Sequence, residues 1–490
     1  MKNIIEIDQN NSWSLRFFIV IICFITILIG VFIAIELSLI IPLIMGVIGF
    51  VLLITLSFRY ENLLFYLFIL CLPLETVIKT SGLPNPIFMI LGGMAVIAWF
   101  LQMFISRRKF IFDKSTIIVI LLLVWSVVSA LATGGFAALM TTRPYFLVTI
   151  LYILTQNTLR KTEQFIQFGW VLSVSLAIVG AYILFGQASA FIDSGGSMSA
   201  QKLHAYANTQ LAGINDSAIW SMRISKGIPY AIYLSMPLFT KSKFGKVLLL
   251  LCAGFMTLGP FSTITINGSI AVAASYGLIV LLSRDRRQKI RYIVLAILVL
   301  VLILFSPLMD RIYSQVETIQ SSDPLKWGTS RGLTWYTGVQ IIRKAPLFGL
   351  GPAEANILEA SLEYISIEIR EQRRRYSRDG VQPHNVFLTI GSSLGIPGLL
   401  LSVLFIVIIL ISLLIELRWL RRTEYDLKLM YMGQAVIIGI VTILIQSMVI
   451  SIHLDNYFWL ILGTAPAFIQ ITRKLRFREV SANQERLANF

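Results

Sequence analysis

Apolar stretches of about twenty residues recur along most of this chain, separated by short polar turns. Each can cross a hydrocarbon core of ~30 Å as a helix. A helix also closes its own backbone hydrogen bonds where lipid offers no partner. Spans are expected at about 17–35, 38–57, 62–77, 87–105, 116–134, 142–157, 164–186, 219–239, 247–264, 268–283, 292–307, 386–415, 429–450 and 456–472. The expected fold is therefore all-α, a polytopic membrane protein with about 14 (12–14) transmembrane helices, the third and sixth being the shortest. Composition agrees. Of 490 residues 57% are hydrophobic and only 13% charged, against about a quarter charged in soluble domains, and the mean hydropathy is +0.80.

The placement of charge orients the spans. Arg107, Arg108, Lys109 and Lys114 share one connection, and Arg284, Arg286, Arg287, Lys289 and Arg291 another. Arg418, Arg421, Arg422 and Lys428 follow, and Arg473, Lys474, Arg476 and Arg478 come after the last span. Alternation puts these on one side, which the positive-inside rule makes the cytoplasm, with both termini there. The net charge of +16 thus reflects topology, and no nucleic-acid partner is expected. The run Phe17–Ile35 is too long for a cleaved leader and reads as a signal anchor. Cys23, Cys71 and Cys252 lie inside spans without ligand-like spacing, so neither a disulfide framework nor a metal site is expected.

Two outer segments exceed turn length, at about 187–218 and 308–385. The expected organisation is a membrane bundle over 1–307, a large and mostly helical external loop over 308–385, C-terminal spans over 386–472 and a short basic tail over 473–490. Within the large loop, residues 331–344 read as an amphipathic helix with Trp335, Val339 and Ile342 on one stripe. Pro346 ends it, and Gly349 and Gly351 permit a tight turn. Pro352 suits the first position of a further helix, from about 352 to 378. Such a turn feeding a helix start can offer free N–H groups to an anion, or can simply connect helices. His384 sits where the chain re-enters the membrane, either as an interfacial polar residue or as a reactive one. Gly391 and Gly395 put two small residues on one helix face, for close approach of a neighbour.

Arg143 lies near the outer end of one span and Arg223 just inside the start of another. An arginine at membrane depth is costly and faces a polar cavity, a partner or the interface. Guanidinium suits phosphate because it offers paired donors and keeps its charge. These residues imply an external site for a phosphate-bearing, membrane-borne substrate.

The two motifs of the loop resemble the O-antigen ligase and O-antigen polymerase superfamily of surface-polysaccharide glycosyltransferases. The first is Ser330, Arg331 and Trp335, followed by Pro346, Leu347, Gly349 and Gly351. The second is His384, Asn385 and Leu388, followed by Leu394, Gly395 and Gly398. A looser echo runs from Arg223 to Gly227. One departure stands out. Where relatives carry Ser-Arg-Gly at the end of a mid-chain span, this chain reads Thr265-Ile266-Asn267-Gly268-Ser269.

The resemblance implies an architecture of the GT-C type in a bacterial inner membrane and a metal-independent, inverting transfer that needs no cofactor. The donor would be a saccharide on a polyprenyl diphosphate. The acceptor would be a lipid-linked repeat unit for a polymerase, or lipid A core for a ligase. Membrane lipids and other polysaccharide-assembly proteins would be its partners. Catalysis would fall to His384 and Arg331, diphosphate binding to Arg143, Arg223 and Arg343, and support to Gly349, Gly351, Asn385 and Trp335. A transporter is the main rival, but it calls for mid-span charges and internal pseudo-symmetry.

Overall fold

The computed structural model describes residues 62–73, 86–105, 107, 109–194, 217–263, 265–304, 331–365 and 380–488. The first two expected spans, Cys23, His204, Ser330, most of the 187–218 loop and the run Arg373–Arg375 lie outside these residues. In chain order the α-helices are α1 (Leu63–Cys71), α2 (Pro86–Ile105), α3 (Lys114–Gly134), α4 (Arg143–Thr158), α5 (Thr162–Asp193), α6 (Ser217–Ser225), α7 (Ile228–Leu234) and α8 (Lys243–Ser262). They continue with α9 (Ile266–Leu282), α10 (Arg286–Leu304), α11 (Arg331–Lys344), α12 (Glu354–Ser361), α13 (Val386–Thr423), α14 (Leu427–Ser447) and α15 (Asn456–Ala488). No strand occurs among the described residues.

Five stretches of described helix are long and apolar enough to cross a membrane: Lys114–Thr158, Thr162–Asp193, Lys243–Ser262, Val386–Thr423 and Leu427–Ser447. Leu91–Ile105 and Ile266–Leu282 are shorter apolar helices. The spans expected at 116–134 and 142–157 are α3 and α4, which the first of these stretches runs together through the 3-10 turn Gly135–Thr142; Gly135, at φ +63°, ends α3. The span expected at 219–239 is instead broken into α6 and α7. Lys226 and Gly227 form a turn there, with Gly227 N–H donating to Ile224 O at 3.2 Å and Pro229 opening α7. The helix expected to end near 472 runs on to Ala488.

The chain divides into two compact units. Met1–Phe68 with Ile90–Arg108 forms one, in which Gly92 packs on the ring of Phe68. Ile69–Met89 with Lys109–Phe490 forms the other. In this second unit α5 lies along α8, and Gly180 and Gly259 let the two backbones nearly touch. Helix α4 lies along α15, where Gly463 admits the backbone of Tyr152. Buried aromatic rings fill the space between α4, α13 and α15: Tyr152 meets Phe405 at 5.5 Å and Trp459 at 6.1 Å.

At the end of α13 remote from Asn385, Glu416 is buried and accepts from Arg476 Nη2 at 2.6 Å and Arg473 Nε at 3.3 Å. Arg476 also lies 5.2 Å over the Trp419 ring. This charge pairing ties α13 to α15.

Candidate functional site

The loop helix expected over 331–344 is α11, Arg331–Lys344. Its orientation corrects the expected stripe. Leu333, Thr334, Thr337, Gly338 and Ile341 are buried, whereas Trp335 and Val339 are each 37% exposed. The side that packs needs small residues: Gly338 lies against Pro383 and Leu388, where a Cβ would come within 3.1 Å of Pro383. The helix expected to start at Pro352 starts at Glu354, with Ala353 as N-cap, and gives way at Leu362–Tyr364 to a 3-10 turn. Leu333, Ile365 and Val381 form a small hydrophobic core of the loop.

The two motifs meet on a break in α13. Gly395 has φ +71° and ψ −172°, outside helical space, two residues before Pro397. The helix therefore loses its local hydrogen bonds there, and the 346–350 turn replaces them. Ile396 N–H donates to Pro346 O at 2.7 Å, and Leu350 N–H to Ser392 O at 2.8 Å. From α3, Trp125 Nε1 donates to Leu394 O at 2.8 Å, and Ser129 Oγ to Phe348 O at 2.7 Å. Gly391 faces Ile342 of α11. The shared face expected for Gly391 and Gly395 is thus corrected: Gly395 is the break itself. Of the two readings of the glycine turn, the contacts favour the connector. The N–H groups of Gly349 and Leu350 are taken by Ala345 O and Ser392 O, and the helix start that follows carries Glu354, bonded by Gln382 Nε2.

His384 is delivered to its place by an anchored segment. Val381 N–H donates to Ser361 Oγ at 2.7 Å, and Gly380, at φ +67°, fits under the backbone of Leu358. His384 is exposed and has φ +47°, a region few residues other than glycine enter, with Asn, Asp and His enriched. Asn385 then caps α13: its Oδ1 accepts from Phe387 N–H and Leu388 N–H, and its Nδ2 donates to Met448 O at 3.2 Å. Thr389 Oγ1 and Ser451 Oγ are 2.7 Å apart. These contacts lead from the re-entry point to the turn between α14 and α15.

That turn holds a charged cluster that sequence reasoning missed. Arg223 donates from Nε to Asp455 Oδ2 at 2.7 Å, and its Nη2 lies 2.5 Å from the same oxygen. Lys226 Nζ is 4.0 Å from Oδ1, which also accepts from Phe458 N–H at 3.1 Å. Burial opposes the Asp455 charge, but Arg223 and Lys226 outweigh it and hold the carboxyl below its ordinary range. The Arg223 guanidinium stacks over Trp220 at 4.7 Å and Tyr457 at 5.6 Å. One face of its fork is therefore engaged by protein. His453, two residues before Asp455, is half-buried with Nδ1 enclosed, and desolvation pulls its pKa down to about 4. Its ring is 5.9 Å from that of Tyr145 in α4, the helix that Arg143 opens.

Of the five arginine and histidine candidates, Arg223 pairs with Asp455 at the 451–455 turn, and Arg143 is exposed at the start of α4. Arg331, Arg343 and His384 belong to the loop and its return, with Arg343 exposed at the C-terminal end of α11. Asn267 stands in the first turn of α9, where the next residue, Gly268, packs against Ser221 of α6, the helix that carries Arg223. Among the described residues no group of three or more His, Cys, Asp or Glu side chains gathers as metal ligands would.

Compared with family models, residues 247–403 match the O-antigen ligase family. That match covers about a third of the chain, and it is a similarity of this segment to the family. The matched segment includes Arg331, Arg343, the interlocked motifs, His384 and Asn385. Arg143, Arg223, Lys226 and Asp455 lie outside it. No curated protein matches the chain.

Proposed function

We propose that this protein is a membrane glycosyltransferase that polymerises surface-polysaccharide repeat units from saccharides carried on a polyprenyl diphosphate. The reading rests on the O-antigen ligase domain, whose re-entry segment presents an exposed His384. It is supported by the Arg223 cluster at the neighbouring turn. The large loop faces the outside of a bacterial inner membrane, both termini face the cytoplasm, and the bundle is of the GT-C type. Cleavage of the glycosidic C–O bond leaves a diphosphate whose growing charge needs fixed cations. Arg223 and Arg143, with Arg331 and Arg343 from the loop, supply them without a metal. His384 removes the proton from the acceptor hydroxyl as general base, and attack from the opposite face inverts the anomeric carbon. Asn385 sets the direction of the re-entry helix that carries His384.

A second reading, transfer of finished glycan to lipid A core, is favoured by the ligase description of the matched family. The glycan profile of a deletion strain separates the two. Core capped with a single repeat supports polymerisation, lipid-linked polymer absent from lipid A supports ligation, and an unchanged profile contradicts both.

A further inference from the structure

Asp455 is held from two sides by unequal partners. Arg223, whose side chain is 22% exposed, takes Oδ2, while Lys226, at 0% exposed, lies by Oδ1. Lys226 Nζ has no hydrogen-bond partner among the described residues. An enclosed ammonium without hydrogen bonds is costly, so a lysine here needs a reason beyond packing. Neutralising Asp455 is not that reason, since Arg223 alone would do it. Two cations against one carboxylate leave surplus positive charge, and its only exposed carrier is the outer edge of Arg223. The break between α6 and α7 fixes the arrangement, because Gly227 is pressed against Met256 of α8.

We propose that Lys226 is a positioning residue for anion binding: by sharing Asp455, it keeps that carboxylate from cancelling the attraction of Arg223 for the donor diphosphate. Lys226 itself does not touch the donor. The inference rests on the proposed function and adds how one cation of the site is kept attractive.

Charge arithmetic separates this role from a packing role. Lys226→Gln leaves one cation facing one carboxylate. Adding Asp455→Asn restores a single net positive charge with different groups. A residue needed only for packing would gain nothing from a second lesion.

The experiment titrates the full-length protein in detergent with farnesyl diphosphate, with farnesol as the uncharged control of the same tail. Wild type is expected to prefer the diphosphate. Lys226→Gln should weaken diphosphate binding about tenfold, as expected for one charge in partly desolvated surroundings. The double variant should return to within about threefold of wild type, less than 1 kcal/mol by the usual affinity conversion. Binding by Lys226→Gln equal to wild type, or a double variant no tighter than the single one, overturns the proposal. Should Lys226→Gln fail to fold, the double variant decides alone: near-wild-type binding supports the proposal and lost binding overturns it. If wild type prefers farnesol or shows no preference, the diphosphate reading of the whole site fails instead.

Discussion

Gly349 and Gly395 sit backbone to backbone. A Cβ on Gly349 would fall 2.6 Å from the amide nitrogen of Gly395, and one on Gly395 would fall 2.6 Å from the carbonyl carbon of Leu347. Both glycines have positive φ, +65° and +71°. The two motifs that carry the family resemblance thus form one joint, in which the loop turn takes over hydrogen bonds given up by the broken helix. The chemistry proposed for His384 depends on this joint for its framework, since α13 begins one residue after Asn385.

Gly349→Ala should accordingly destabilise the protein by about 2 kcal/mol or more, from the wrong φ and the backbone clash together. Gly277→Ala, with nothing within 4 Å of its Cβ in the interior of α9, should leave the unfolding temperature unchanged or slightly raised. Thermal unfolding in detergent makes the comparison, and equal effects of the two would dissolve the joint.

Alanine is a poor probe of His384, because φ +47° costs an ordinary residue about 1 kcal/mol or more. Asparagine tolerates that conformation and has no basic nitrogen. His384→Asn should keep the unfolding temperature of wild type and lose glycan transfer by at least about a hundredfold, the usual scale for general-base catalysis. Retained transfer would remove His384 from the chemistry.

His453 predicts an acid response. Its folded pKa is about 4, below the ordinary 6.5 or so of an unfolded histidine. The unfolded chain therefore binds this proton at higher pH, so stability is full above about 6.5 and falls as pH drops from there toward 4. Asp455, held below the ordinary carboxylate range, stays charged across that window. Unfolding temperature against pH should show the decline in wild type and a shallower one in His453→Gln. Parallel curves would contradict the burial of Nδ1.

The cation pair on Glu416 should be redundant. Arg473→Ala or Arg476→Ala leaves the buried carboxylate one partner, whereas the double variant leaves an unpaired buried charge and should cost about 3 kcal/mol. Unfolding of the three variants should therefore be strongly non-additive, and simple addition would count against the shared clamp.

Elements whose signals are local were readable from the chain. Arg331–Lys344 follows from its apolar period and from Pro346, and the tight turn from Gly349 and Gly351. The packed side of α11 was not readable, because periodicity finds an apolar stripe but not what lies against it. Here Thr334, Thr337 and Gly338 face the protein, since close packing on Pro383 favours small side chains. The break of the 219–239 span was signalled by Lys226, Gly227 and Pro229 standing inside an apolar run. Asp455 was missed because its partners, Arg223 and Lys226, are more than two hundred residues away. An acid at the start of an apolar helix, amid His453 and Tyr457, was the available cue.

The most direct measurement is release of polyprenyl diphosphate from a lipid-linked oligosaccharide by the purified protein in proteoliposomes, with glycan lengthening followed on a gel. Wild type should release the diphosphate and lengthen the glycan together, Arg223→Ala should lose both by at least about a hundredfold, and chelators should change neither. Release and lengthening that persist undiminished in Arg223→Ala, or a wild-type protein that does neither with any lipid-linked glycan from its own host, would contradict the account.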